Sequence, residues 1–376
     1  MTPRTFGRAW WRRLLFGMLA KLFPRRRNVT PPVPTHPQRI LVLAPVLRGD
    51  YIILSPLIAS LRGMFPSSII GVVVTEPSSE LARVDPNVDE VLFYWKLPRW
   101  FQSMRRIARF KPDVVVNPKG HPAFTETLLL AATRAPVRIG LDYPGHTIFL
   151  THPVPHQNDR EHRVTATLRL LAPFGAEPGN VSKRLHIGRS SDAEERAERV
   201  FRRLGAGEPW ISVNLSAGSS TRLWRFEKWG ELISQAHRLI PGARFMVLGS
   251  VRERRLCAEL ARRFEYAFTV PTGGFLEAAA LAARTRLLVS PDTGIVHAAA
   301  ARGVPVVVLY NGDRINYVRF GPSSITHRAV FAPAGEDVSA IETRQVLNAV
   351  TELLAELGMK PTGDCPQSRP INGGGL

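Results

Sequence analysis

At 376 residues, 44% of them hydrophobic, with a mean hydropathy of -0.05, the chain has room for two domains of ordinary size and the composition of a folded globular protein. No stretch reaches the ~18 uninterrupted apolar residues of a membrane-spanning helix. Its two cysteines, Cys257 and Cys365, exclude a disulfide framework or a cysteine-based metal motif and fit a reducing cytoplasm. The formal net charge of +19 demands an anionic partner or surface.

That charge is concentrated first at the N-terminus. Residues 1–49 hold no Asp or Glu, while Arg4, Arg8, Arg12, Arg13, Lys21, Arg25, Arg26 and Arg27 crowd the opening segment. Trp11, Leu14, Leu15, Met18, Leu19 and Leu22 recur at helical spacing, so residues 1–27 are expected to form a basic amphipathic helix at an anionic membrane surface. A secretory signal fits less well, because Lys21 interrupts a short apolar core and no small-residue cleavage site follows before Pro24. A nucleic-acid arm is disfavoured by the aromatic and aliphatic face, and no stacking platform or groove-reading helix is visible elsewhere. A proline-rich linker completes the segment 1–38.

From residue 39 to about 185, apolar runs alternate with helical patterns. Strands are expected at 40–47, 69–75, 90–94, 113–117 and 137–140. Helices are expected at 52–65, 79–84, 99–110, 123–133 and 161–174, and Arg48-Gly49-Asp50 forms the turn after the first strand. Residues 141–158 read as irregular, and their three histidines lack metal-ligand spacing.

The second half, 186–358, repeats the scheme. Helix 192–204 and strand 210–215 lead to a small, hydroxyl-rich loop at 216–221 and helix 227–239. Strand 244–248 and helices 253–264 and 276–283 precede strand 287–290, helix 295–302 and strand 304–310, and the last helix covers 342–357. Residues 359–376, with three prolines and a glycine run, are expected as a disordered tail. The alternation is that of an α/β protein with two Rossmann-like, doubly wound domains, their glycine-bearing loops directed to a shared cleft.

Three loops carry the chemistry. At Pro291-Asp292-Thr293-Gly294 a strand meets a small-residue helix. Free N–H groups and the helix dipole at Thr293 and Gly294 suit a diphosphate, with His297 one turn further along. Asp292 as a plain helix cap is the competing reading. An aspartic protease would need a second Asp-Thr-Gly, and the chain has one copy. In the hydroxyl-rich loop, Ser219, Ser220 and Thr221 could bind phosphate oxygens beside Arg222, or form an ordinary turn. Asp50 at the first strand end reads as a base or as a cap.

Taken in order, these residues resemble the ADP-heptose:lipopolysaccharide heptosyltransferase family, glycosyltransferases with the two-domain GT-B fold. The resemblance runs through Leu47-Arg48-Gly49-Asp50 with Pro56, Pro86-Asn87-Val88-Asp89-Glu90-Val91, Arg138-Ile139-Gly140 and His162. It continues through Asp292-Thr293-Gly294 to His297, Gly303-Val304-Pro305, and Arg319 with Gly321-Pro322, spanning about residues 39–357. Departures are Arg222 for the usual Lys, Arg225 for Pro, Pro291 for Asn, and Asn311-Gly312-Asp313 for Gly-Pro-Thr.

The resemblance implies an inverting transfer in which Asp50 is the general base. Ser219, Ser220, Thr221, Arg222, Asp292, Thr293, Gly294 and His297 would bind a nucleotide-sugar donor, ADP-heptose, with no metal and no other cofactor. No Asp-x-Asp metal motif is present. The acceptor would be an anionic glycolipid of the lipopolysaccharide core or a related one, met by Lys119, His121, Arg160 and Arg163 at the inner face of a bacterial membrane. The alternative is a relative that binds a nucleotide sugar or glycolipid without transferring.

Overall fold

The computed structural model describes residues 30–359 except 96–97, 122–123, 144–146, 158–160 and 206–208. The amphipathic segment expected at 1–27, Arg160 and nearly all of the C-terminal tail lie outside the described residues. The rest forms two compact units. One comprises the described residues up to Ser190 together with Val318–Ser324, and the other Ser191–Tyr317 with the chain from Ile325 onward.

The first unit contains strands β1 (Arg39–Ala44), β2 (Ile69–Val74), β3 (Glu90–Phe93), β4 (Val114–Asn117), β5 (Val137–Leu141) and β6 (His152–Val154). Its helices are α1 (Arg48–Met64), α2 (Glu76–Arg83), α3 (Trp100–Phe110), α4 (Phe124–Thr133) and α5 (Arg163–Leu168). The sheet order is β3-β2-β1-β4-β5-β6, with every pairing parallel. Central strands such as Ile40–Ala44 are fully buried, which is why they read as continuous apolar runs rather than alternating ones.

The second unit contains α6 (Ser191–Leu204), β7 (Trp210–Asn214), α7 (Phe226–Leu239), β8 (Arg244–Leu248), α8 (Arg254–Arg262), β9 (Ala267–Phe268), α9 (Phe275–Ala282) and β10 (Leu287–Pro291). It continues with α10 (Gly294–Ala301), β11 (Val306–Tyr310), α11 (Ile315–Phe320), which passes into the first unit from Val318, β12 (His327–Phe331) and α12 (Thr343–Glu356). Its parallel order, β12-β11-β10-β7-β8-β9, repeats that of the first sheet. The doubly wound class expected from the alternation is therefore present twice. Each sheet reverses strand order once, between β1 and β4 and between β7 and β10. Ligands of open α/β sheets bind at such a switch point, outside the carboxyl ends of the strands.

Several expected elements are corrected. The first strand ends at Ala44, and Arg48-Gly49-Asp50 is the first turn of α1, with Leu47 as N-cap in extended conformation. The helix expected to run to Phe174 is α-helical only over Arg163–Leu168 and tightens to a 3₁₀ stretch at Arg169–Phe174, which contains Pro173. β6, β9, β12 and α11 were not expected. Two of these strands have three residues or fewer, and all three lie at sheet edges, where the apolar signal is weakest. Gly303, at φ 77°, closes α10 as anticipated, with Val304 N–H donating to the Ala299 carbonyl at 2.9 Å.

Candidate active site

In the first unit, β1 and β4 deliver their ends to the switch point. Asp50, at the third position of α1, reaches back to the Leu47 backbone N–H, as an acidic side chain at that position of a helix does. Burial pushes its carboxyl pKa up. Lys119, Arg163, that N–H and Arg319 pull it down, and the balance remains above the ordinary value. Asp50 is thus more basic than a surface aspartate while held among cations.

Those cations are themselves positioned. Lys119 follows β4; its backbone N–H donates to Asn117 Oδ1 at 3.2 Å, and Tyr143 donates its hydroxyl to the Lys119 carbonyl at 2.7 Å. The Lys119 ammonium lies 3.4 Å from the buried Glu126 carboxylate, so its charge is shared. Arg163 opens α5, and its Nη2 donates to the Pro118 carbonyl at 2.7 Å. A Cβ on Gly120 would sit 2.1 Å from Arg163 Nη1, so glycine is what lets the guanidinium lie there. His121 is exposed at the rim. Partial burial of its ring, then Lys119, lowers its pKa, while Glu126 opposes.

Arg319 was named in the sequence only as part of a motif. It lies on α11, whose start is capped by Asp313 Oδ1 accepting from Ile315 N–H at 3.0 Å. The chain re-enters the first unit at Val318, and His162 Nε2 pairs with the Gly321 carbonyl at 2.9 Å. Arg319 then acts electrostatically on Asp50, His121 and Arg163. The first-unit site therefore joins four of the expected residues, Asp50, Lys119, His121 and Arg163, and adds Arg319, Tyr143 and Gly120.

In the second unit, Asn214 at the end of β7 ties the neighbouring strand to the loops. Its Nδ2 donates to Ser290 Oγ at 2.9 Å, to the Ser216 carbonyl at 3.1 Å and to Thr293 Oγ1 at 3.4 Å. Thr293 is the N-cap of α10 and Gly294 its first residue, so the amides expected to meet an anion do begin that helix. His297 lies one turn in and is 5% exposed.

The hydroxyl-rich loop turns through a 3₁₀ element at Ser220–Arg222. Ser219 and Thr221 hydroxyls lie 2.9 Å apart, and Ser219, Ser220 and Thr221 are all exposed. Trp224 anchors this loop from below: it is buried edge-on against Trp229 at 4.8 Å and donates Nε1–H to the Ile341 carbonyl at 2.9 Å. Arg225 holds φ at -64°, the value a proline ring imposes, so that departure leaves the backbone path intact.

Arg222 lies 3.1 Å from the Asp292 carboxylate and also donates to the Asp292 carbonyl at 3.2 Å. Asp292 is engaged by an arginine as well as preceding a helix cap. Tyr310, ending β11, is buried, and its hydroxyl has no hydrogen-bond partner among the described residues. Burial first, then Asp292, drives its pKa far upward, so it remains a neutral donor. Asn214, Ser290 and Tyr310 escaped the sequence reading because each sits inside an apolar strand run.

The family model for glycosyltransferase family 9 (heptosyltransferase) matches residues 101–340. The chain belongs to this family. It is a heptosyltransferase-type glycosyltransferase, and its two six-stranded parallel sheets are the α/β units of the GT-B fold. Among similar proteins, lipopolysaccharide heptosyltransferase 3 of Escherichia coli is 22% identical over 283 residues, covering 70% of this chain and 80% of that protein. A family 9 glycosyl transferase of Veillonella parvula superposes with a TM-score of 0.75 at 23% identity, over 86% of this chain and 98% of that one. The E. coli ADP-heptose lps heptosyltransferase II follows with a TM-score of 0.69 at 19% identity, over 85% and 99%. Among the described residues, no helix is long and apolar enough to cross a membrane.

Proposed function

We propose that the protein transfers a heptose from ADP-heptose to a lipopolysaccharide-core or related glycolipid acceptor, with inversion and without a metal, at the inner face of a bacterial membrane. The observation that carries this is Asp50, a carboxylate whose basicity is raised by burial at the switch point of the first sheet. The names of the related E. coli enzymes supply the donor and acceptor classes.

In this reading the acceptor hydroxyl gives its proton to the Asp50 carboxylate as its oxygen bonds to the anomeric carbon. The bond from that carbon to the diphosphate oxygen breaks, and ADP leaves with the electron pair. Asp50 has the raised pKa that a carboxylate base needs. Lys119, His121, Arg163 and Arg319 supply the positive field for phosphates on the acceptor. Arg160 belongs to the same proposed set by sequence position.

On the donor side, the amides at Thr293 and Gly294, the hydroxyls of Ser219, Ser220 and Thr221, and the Arg222 guanidinium would neutralise the leaving diphosphate. Asp292 and His297 complete that set. The Arg222–Asp292 pair supports a double role: the carboxylate orients the arginine and accepts from donor sugar hydroxyls.

The test is acceptor-dependent release of ADP by the purified full chain, given ADP-heptose and de-acylated lipopolysaccharide core, beside a panel of other nucleotide sugars. Turnover with ADP-heptose alone among the donors is expected. Tight ADP binding with no turnover on any acceptor would replace the reading with a binding role.

A further inference from the structure

The helix α3 carries an outer surface that the transfer chemistry does not use, and of its basic residues Arg106 packs over the Trp95 ring at 5.7 Å. From Val91 to Pro112 the chain has no Asp or Glu, and the described basic residues there are Arg99, Arg105, Arg106, Arg109 and Lys111. All five are exposed, and none has an acidic partner among the described residues. Arg105 and Arg109 stand four apart, where like charges oppose helix formation, and Arg99 occupies the N-cap, at the positive end of the dipole. Arg109 and Lys111, at the C-terminal end, suit the dipole, so the unfavourable part is confined to Arg99 and the Arg105–Arg109 repulsion, which an anionic surface would offset.

The rotation of the helix is fixed from within. Ser103, Ile107 and Phe110 are buried, and the Phe110 ring lies where a Cβ on Gly71 would come within 2.7 Å. The opposite face is therefore committed to the outside. At its start Phe101 is 67% exposed, edge-on to the Trp100 ring at 4.9 Å. An aromatic residue that exposed, next to tryptophan and among arginines, has the composition of a membrane-interface anchor.

Topology places this end usefully. α3 follows β3, so it begins at the carboxyl edge of the first sheet, the edge to which β1 and β4 bring Asp50 and Lys119. We propose that the outer face of α3 docks on an anionic lipid bilayer, with Phe101 entering the headgroup region and the arginines meeting lipid phosphates. The surface stands on its own residues, while its purpose, bringing the sheet edge to a lipid-borne acceptor, rests on the function proposed above.

The experiment compares the full chain with the full-length triple variant Phe101→Ser, Arg105→Glu, Arg109→Glu, so that residues 1–27 are common to both. Cosedimentation is measured with vesicles of phosphatidylcholine alone and mixed equally with phosphatidylglycerol. The wild type is expected to favour the anionic vesicles and the variant to lose about tenfold or more in affinity for them, with an unchanged melting temperature. A fluorophore on Phe101→Cys, introduced together with Cys365→Ser so that the buried Cys257 is the only other thiol, is expected to shift to the blue on anionic vesicles, which decides the matter even if the triple variant folds poorly. Unchanged vesicle affinity with no blue shift would overturn the proposal, as would loss of affinity for a short RNA with vesicle binding intact. Turnover on a lipid-free acceptor is expected to persist in the variant, so failure of docking and failure of the transfer reading show separately.

Discussion

Arg222 grips Asp292 twice, at its carboxylate 3.1 Å away and at its carbonyl 3.2 Å away. The carboxylate side is 8% exposed and the arginine side 31%, so solvent screens part of the attraction. Removing the cation still leaves a buried carboxylate without it. Arg222→Ala is expected to cost about 1–2 kcal/mol, less than a fully buried pair would. It should also weaken ADP binding about tenfold. Arg222→Lys should fall between, since an ammonium supplies charge without the two-point grip. Calorimetric melting and ADP titration of the three proteins check this. Unchanged values for Arg222→Ala would leave the pair without a role.

Gly120 makes room for Arg163. The atoms a Cβ would strike are the far end of that flexible side chain, and Gly120 does not hold a left-handed φ. Gly120→Ala should therefore change stability by less than about 1 kcal/mol. It should nevertheless move the guanidinium off the Pro118 carbonyl and raise KM for the acceptor severalfold. Steady-state kinetics with acceptor varied, at saturating donor, read this directly. A KM change confined to the donor would contradict it.

Asp50 also makes a stability prediction. Its folded pKa lies above the ordinary 3.8, so the fold holds this proton more tightly than the unfolded chain does. That contribution is complete below 3.8 and is lost as pH rises through the folded value. Asp50→Asn should then melt higher than the wild type at pH 7, with the gap closing as pH falls toward the ordinary carboxylate range. The acid limb of kcat/KM in the wild type should lie above that range for the same reason. Melting curves across pH test the sign, and a lower melting temperature for the variant at pH 7 would reverse it.

Much of the architecture was legible because parallel, doubly covered strands leave unbroken apolar runs such as Ile40–Ala44 and residues 306–309. The segments at their carboxyl ends followed, with Arg222 and Thr293 on them, whereas Asp50, expected in a turn, lies in the first turn of α1. The elements that escaped were edge pieces: β6 contains Pro153, and β12 is only partly buried, so neither writes a hydrophobic pattern. The site partners that escaped did so for another reason. Asn214 and Tyr310 are single polar groups within buried strands, and Arg319 returns to the first unit from far along the chain.

Tyr310 is a case where removing a polar group should do no harm. Its hydroxyl is buried with no partner among the described residues, so Tyr310→Phe should keep or raise stability, by up to ~1 kcal/mol. Chemical denaturation of the two proteins measures it. A loss beyond that size would reveal a bond to a water or ligand that the hydroxyl needs.

The central claim is that Asp50 takes the proton from the acceptor. The most direct measurement is single-turnover ADP release by Asp50→Ala and wild type, with ADP-heptose and de-acylated core acceptor saturating, alongside ADP affinity. The account predicts a fall in the chemical step of about 10²–10⁴-fold, with ADP affinity and melting behaviour at or above wild type. Full-rate transfer by Asp50→Ala would contradict it.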